Sequence, residues 1–226
     1  MAKIIMLIKL SNHLFPYQNS NFKTNFYRIC FLFLLHCFAA TNCCSQTKSF
    51  SDHNHKGAEI FSSQLEYVST LDNDKDVSVY TIKIGYGAYI LKKLTLIGLI
   101  DLVTFKGDYM IQLNSKQNIF NADTFGIGTA MQLRWYVLTL GRISIFLDAT
   151  AGFLYSLKSF PPTGTKLNFT ARPGAGIAIT VNKSLQLLIG ANRFHLSNGQ
   201  GYKHPINPSY DGLGIYLGMI FHPIKK

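Results

Sequence analysis

The stretch FGIGTAMQLRWYV, Phe125–Val137, alternates along its whole length. Its odd positions are Phe125, Ile127, Thr129, Met131, Leu133, Trp135 and Val137. Its even positions are Gly126, Gly128, Ala130, Gln132, Arg134 and Tyr136. A period of two is the mark of a β-strand with two different faces. The run is longer than the ~5–6 residues of an ordinary globular strand. It has the length of a tilted strand that crosses a bilayer and continues past it.

The pattern repeats on both sides. Over 142–156 the apolar parity holds Ile143, Ile145, Leu147, Phe153 and Tyr155, while Arg142, Ser144, Asp148 and Thr150 take the other face. Over 167–181 it holds Leu167, Phe169, Ile177, Ile179 and Val181, opposite Asn168, Thr170, Arg172 and Thr180. Hydrophobic residues make up 47% of the 226-residue chain and charged residues 15%, which excludes a disordered chain. Downstream of residue 45 no apolar run approaches the ~20 residues of a membrane helix. The fold class that results is all-β, an eight-stranded antiparallel transmembrane β-barrel of the bacterial outer membrane. The predicted strands are 59–68, 77–91, 94–105, 123–138, 141–156, 167–181, 184–197 and 211–222, of which the first and third alternate poorly. Tight links are expected at Lys92-Lys93, Thr139-Leu140 and Asn182-Lys183, and longer loops at 69–76, 106–122, 157–166 and 198–210. Short periplasmic turns and long outer loops are the rule in such barrels.

Glycine pairs at 85/87, 126/128, 174/176 and 212/214 lie within strands rather than at a strand-to-helix turn, so they suit a narrow, side-chain-filled interior better than a phosphate loop. Lys83, Arg134, Asp148 and Arg172 share the inner parity and read as a structural charge network.

The first 45 residues differ. Lys23 and Arg28 precede an apolar stretch from Ile29 to Ala40, and small or weakly polar residues lead to Cys43-Cys44-Ser45-Gln46. This has the layout of a secretory signal cleaved near Ser45-Gln46. An anchoring helix and a lipoprotein using Cys43 or Cys44 are its rivals, although Asn42 is a poor neighbour for lipid attachment. The domain expectation is a signal over 1–45, a short periplasmic segment over 46–58 and a barrel over 59–226. All four cysteines (Cys30, Cys37, Cys43 and Cys44) fall in the first segment, so a mature chain has neither a disulfide framework nor a cysteine metal site. Cleavage lowers the formal charge of +11 without abolishing the basic excess. For an exported chain that excess points to anionic lipid head groups, such as lipopolysaccharide phosphates, rather than to nucleic acid.

Near the C-terminus the parity carries chemistry. Leu185, Leu187, Ile189 and Ala191 occupy the lipid-facing positions of the seventh predicted strand, and the same parity continues through Arg193, His195 and Ser197. In the last strand Asp211 shares its face with Leu213, Ile215, Leu217, Met219 and Phe221. Polar groups on a lipid face are costly unless they lie at the interface or act there. Residues two apart on a strand sit side by side, ~6.6–7 Å between Cα atoms. His195 can therefore take the proton of the Ser197 hydroxyl and return it to a leaving alcohol. A carboxylate would orient the imidazole, and beyond residue 148 Asp211 is the only acid. The Asn198 amide, or backbone N–H groups around Gly199, would stabilise an oxyanion. Arg193 reads as a lipid-phosphate contact or a girdle residue rather than a catalytic one. Against this stands the plain reading of Ser197-Asn198-Gly199 as a turn.

The segment Asn192-Arg193-Phe194-His195-Leu196-Ser197-Asn198-Gly199, followed by Asn207-Pro208 and Leu213-Gly214-Ile215-Tyr216-Leu217-Gly218, resembles the lipid A 3-O-deacylase (PagL) family. The resemblance implies an eight-stranded outer-membrane barrel that hydrolyses an ester-linked acyl chain of lipid A with a triad on its exterior. It assigns His195 as base, Ser197 as nucleophile and Asn198 as an oxyanion contributor. A family glutamate would fall near Ser209, which cannot fill that role, so Asp211 stands in by parity and a His-Ser dyad is the alternative. No cofactor or metal is implied, and a homodimer is left open. His53-Asn54-His55 could bind a metal but reads better as a solvated N-terminal segment, and His204 and His222 have no obvious ligand partners. The rival readings are a non-catalytic barrel, structural or adhesive, and a different envelope lipid esterase or acyltransferase on the same scaffold.

Overall fold

The computed structural model describes residues 55–72, 75–113, 116–198 and 209–223. Nine strands are present among them: β1 (Glu59–Thr70), β2 (Lys75–Leu91), β3 (Leu94–Leu113), β4 (Lys116–Asn121), β5 (Thr124–Leu140), β6 (Ile143–Ser156), β7 (Leu167–Thr180), β8 (Leu185–Ser197) and β9 (Tyr210–Phe221). All neighbours pair antiparallel. β9 pairs with β1, β1 with β2, β2 with β3, and β3 with β5, so eight strands close into a barrel and leave no free edge. β4 pairs with β3 alone and lies outside that ring.

Alternation decides which way each side chain points. On β5 the burial switches residue by residue, with Phe125, Ile127, Met131, Leu133 and Trp135 exposed and Gln132, Arg134 and Tyr136 buried. The poorly patterned first and third predicted strands belong to the barrel as well. β3 places its even residues Leu96, Ile100 and Leu102 outside and Ile97, Leu99, Asp101 and Val103 inside. Large apolar groups therefore cover the exterior of a closed barrel, the surface a bilayer wets.

The interior is layered. Val79, Phe105, Phe160, Phe194, Leu196 and Tyr210 form one apolar cluster towards the long-loop end. Ile60, Tyr89, Ile97, Phe146, Tyr216 and Ile220 form another towards the tight turns. Between them lies a charged layer. Arg134 pairs with Asp148 at 3.0 Å, Arg172 with Asp101 at 2.6 Å, and Glu66 with Lys83 at 3.0 Å. Asn192 donates to Glu66, and Tyr216 donates to Asp148 at 2.8 Å. The inner placement expected for Lys83, Arg134, Asp148 and Arg172 holds. Glu66 and Asp101 complete their neutralisation. Both come from the two weakly patterned strands, which is why the sequence pattern does not single them out.

Two expectations about connections need correction. The span 106–122, read as one long loop, is a β-hairpin: β3 runs on to Leu113 and returns as β4. Gly107 makes this continuation feasible. Its φ is +126°, and a Cβ there would run into the carbonyl oxygen of Asp76. At the base of the hairpin Asp123 accepts from Lys106 Nζ at 2.6 Å and from the Gly107 N–H at 3.0 Å. Burial acts to raise the Asp123 carboxyl, but the Lys106 ammonium and the Gly107 N–H outweigh it and hold it below the usual carboxylate range. Gly107→Ala is expected to cost about 1–3 kcal/mol locally. Hydrogen exchange should show faster amides in β4 while those of β7 and β8 keep their protection. The second correction concerns the turn placed at Thr139-Leu140. It lies at Gly141-Arg142, because a bulge between Tyr136 and Leu138 shifts the register and Gly141 supplies a φ of +59°.

The loop after β6 folds back over the barrel mouth. Phe160 is fully buried, its ring stacked 3.7 Å from that of Phe105, and its carbonyl accepts from Asn168 Nδ2 at 2.7 Å. That bond fixes the outer end of β7, the strand against which the candidate site is built.

Candidate active site on the barrel exterior

β8 carries the site because its two faces differ. Phe194 and Leu196 are buried in the barrel, whereas Arg193, His195 and Ser197 take the outward parity. The β8–β9 register sets His195 directly opposite Asp211 and Arg193 opposite Leu213. The register thus brings together an acid and an imidazole that lie sixteen residues apart in the chain.

His195 Nδ1 lies 3.2 Å from each carboxylate oxygen of Asp211. A carboxylate only accepts hydrogen bonds, so this contact requires the ring proton on Nδ1. In the neutral ring Nε2 then keeps its lone pair, the state a general base needs. Arg193 shares the same acid. Its Nη2 and Nε donate to Asp211 Oδ1 at 2.9 and 3.1 Å. The side chains grade in exposure from Arg193 at 63% through His195 at 41% to Asp211 at 20%. The carboxylate is therefore the sheltered member and the imidazole stands accessible over the outer surface.

Ser197 ends β8 and pairs with Phe169 of β7, while His195 pairs with Ala171. It is half-buried and shares the outward face of His195. Among the described residues no hydrogen bond joins its hydroxyl to the imidazole. Pairing between β7 and β8 is interrupted between Ala171 and Gly174, where Pro173 has no N–H to donate.

Asn198 is placed differently from Ser197. It is buried, as Phe194 and Leu196 are, and its Oδ1 has no hydrogen-bond partner among the described residues. Its side chain is therefore not on the outer surface beside Ser197. Gly199, His204, His53 and Asn54 lie outside the described residues. Ser209, the position of the expected family acid, offers its carbonyl to the Tyr109 hydroxyl at 2.8 Å. His222 is buried at the opposite end of the barrel and stacks on Tyr89. Asn192, part of the motif but given no role by it, and Phe169 complete the surroundings. Asn192 ties β8 to the charged layer through Glu66, and Phe169 flanks Ser197.

The lipid A 3-O-deacylase (PagL) family model matches residues 103–220, just over half of the chain, and the match takes in His195, Ser197 and Asp211. The chain belongs to the PagL family. No curated protein sequence matches it. Among solved structures, that of the outer membrane enzyme PagL is similar at 15% identity and a TM-score of 0.49, over 72% of this chain and 99% of the other. The outer membrane protein OprG from Pseudomonas aeruginosa is similar at 8% identity and a TM-score of 0.45, over 76% of this chain and 98% of the other. The outer membrane protein AlkL in DMPC bilayers is similar at 10% identity and a TM-score of 0.38, over 81% and 97%.

Proposed function

We propose that this PagL-family barrel resides in the outer membrane and hydrolyses an ester-linked acyl chain of lipid A on its exterior, with Ser197 as nucleophile, His195 as base and Asp211 as the orienting acid. The observation that carries this reading is the Asp211–His195 contact on the lipid-facing side of β8, with Ser197 two residues further along the same face. Substrate and site then share one leaflet, and no soluble channel through the filled interior is required.

His195 Nε2 takes the Ser197 proton as Oγ attacks the ester carbonyl. The tetrahedral intermediate collapses when His195 gives that proton to the departing ester oxygen, which departs as a sugar hydroxyl and leaves an acyl-Ser197. Water then attacks, His195 accepts its proton, and Ser197 leaves reprotonated as the fatty acid is released. Asp211 holds the ring tautomer and balances the imidazolium in both halves. A rotation about the Ser197 side chain brings Oγ to Nε2, a contact that commonly tightens only with substrate in place. With the Asn198 side chain buried, the backbone N–H groups that follow Ser197 are the better oxyanion donors. Arg193 neutralises Asp211 and offers its exposed face to a substrate phosphate. Residues 1–45 act as the export signal and are removed.

A fluorophosphonate tests the nucleophile directly. Oγ displaces fluoride and leaves a phosphonyl ester that intact mass and peptide mapping locate. Labelling at Ser197, lost in His195→Ala, supports the reading; an unlabelled folded barrel contradicts it. Asp211→Asn is expected to lower kcat by about 10²-fold, short of the about 10⁴-fold loss for a deeply buried triad acid, since this carboxylate is partly solvated. Rates on lipid A in detergent micelles measure that difference.

A further inference from the structure

The basic excess of the chain is not gathered at the candidate site. At the long-loop end Arg193 is paired with Asp211 and Lys106 with Asp123, and Asp72, Asp76 and Asp108 largely offset Lys75, Lys116, Lys158 and Lys166. At the tight-turn end the balance is different. Lys92 and Lys93 form the β2–β3 turn, Arg142 the β5–β6 turn, Lys183 the β7–β8 turn, and Lys56 precedes β1. Among the described residues Glu59 is the only acid at this end, and none of these cations is in an ion pair. The cations sit directly above an apolar band. The Tyr136 N–H donates to the Lys93 carbonyl at 2.8 Å, so Trp135, half exposed on the outer face, stands beside that turn. Leu140 and Ile143 flank Arg142 and are exposed as well.

We propose that this end of the barrel is a docking ring for anionic phospholipids, with Lys92, Lys93, Arg142 and Lys183 holding phosphodiester head groups while the acyl chains lie along Trp135, Leu140 and Ile143. Short turns place the ring at the periplasmic leaflet, away from the lipid A surface. Its chemistry is charge complementarity with anionic head groups over a continuous apolar band. Its role is to anchor the depth of the barrel and to select its neighbouring lipids. It does not depend on hydrolysis at Ser197.

The chain has one tryptophan, and it stands at this ring, so intrinsic fluorescence reads the lipids there. The full-length protein, processed as it is in cells, is reconstituted into phosphatidylcholine vesicles containing phosphatidylglycerol. Dibrominated acyl chains are carried by one lipid or the other. Preferential docking predicts that brominated phosphatidylglycerol quenches Trp135 more than its mole fraction requires, an about three-fold preference that falls towards one in 0.5 M salt. The double variant Lys93→Gln/Arg142→Gln keeps the backbone bonds of both turns and should lose the preference while retaining its gel mobility and deacylation rate. Quenching that follows mole fraction in the wild type overturns the proposal, as does a preference unchanged in the variant. Failure of this test leaves the deacylase reading intact, because neither turn touches the candidate site.

Discussion

Ser197→Ala should abolish acyl-chain release from lipid A, lowering kcat by about 10⁴–10⁶-fold, with no loss of barrel stability. The expectation follows from what the proposed site has besides Ser197. His195 is oriented by Asp211 at 3.2 Å, so its Nε2 remains competent to activate water after the hydroxyl is gone. That route forgoes the acyl-enzyme, and the members of a nucleophile–base unit fail together rather than additively. His195→Ala should consequently cost about as much as Ser197→Ala, and the double variant little more. Stability should be unaffected, because Ser197 is the last residue of β8 and a hydroxymethyl-to-methyl change on the outer face opens no cavity. Fatty-acid release with purified lipid A measures the rate, and the heat-dependent gel shift of a folded barrel checks the fold. A fall below ten-fold in the single serine variant would remove Ser197 from the mechanism.

The second large effect belongs to the interior. Glu66→Ala should destabilise the barrel by about 3–5 kcal/mol. Glu66 is fully buried and serves Lys83 at 3.0 Å, Arg172 at 3.8 Å and the Asn192 amide. Removing it leaves a buried ammonium and part of a guanidinium without their counter-charge. Burying a cation alone costs far more than the pair itself contributes. Glu66→Gln should cost less than Ala because it fills the same space and its one carbonyl oxygen keeps an acceptor for either Lys83 or Asn192. Urea unfolding in lipid vesicles, followed by gel mobility, gives the difference. The same variants should hydrolyse lipid A at nearly the wild-type rate per folded molecule, since the charged layer faces inward and the candidate site outward. A large loss of activity in a fully folded Glu66 variant would show that the interior network does more than hold the barrel together.

Much of the barrel is legible in the sequence, and the reason is geometric. A membrane barrel imposes one constraint on every strand, apolar outside and small or polar inside. Phe125–Val137, 143–156 and 167–180 alternate between outside and inside residue by residue, with Tyr136, Phe146 and Leu154 as the large side chains that fill the interior. The parity of β8 and β9 follows from the same rule, and it puts Arg193, His195, Ser197 and Asp211 on the exterior. Register does not follow from parity. Whether Asp211 faces His195 or slips by two residues depends on the β8–β9 pairing, which no local pattern encodes. The β3–β4 hairpin is hidden for a related reason. It stands outside the closed ring, so the inside–outside pattern does not apply to it, and its one local clue is the conformational freedom of Gly107. The inward side of Asn198 is legible, because it continues the parity of Phe194 and Leu196; giving its amide an outer-surface role sets that parity aside.

Charge is the least transferable reading. Net charge suggests a partner for the whole surface, whereas the fold sorts charges along the barrel axis. The buried layer is internally matched, and at the long-loop end acids and bases are nearly equal in number. At the tight turns the cations have, among the described residues, Glu59 as their only acid neighbour. Composition alone cannot carry that distinction, because it depends on which turn each lysine or arginine occupies.

The central claim is that this barrel removes an ester-linked acyl chain from lipid A on its outer surface. Mass spectrometry of lipid A, extracted from membranes in which the chain is expressed and from matched membranes with Ser197→Ala, tests it most directly. Wild type should yield lipid A lighter by one ester-linked acyl chain, and the variant should leave it whole. Lipid A of identical mass in both, with each barrel folded in the membrane, would show that this barrel is not a lipid A deacylase.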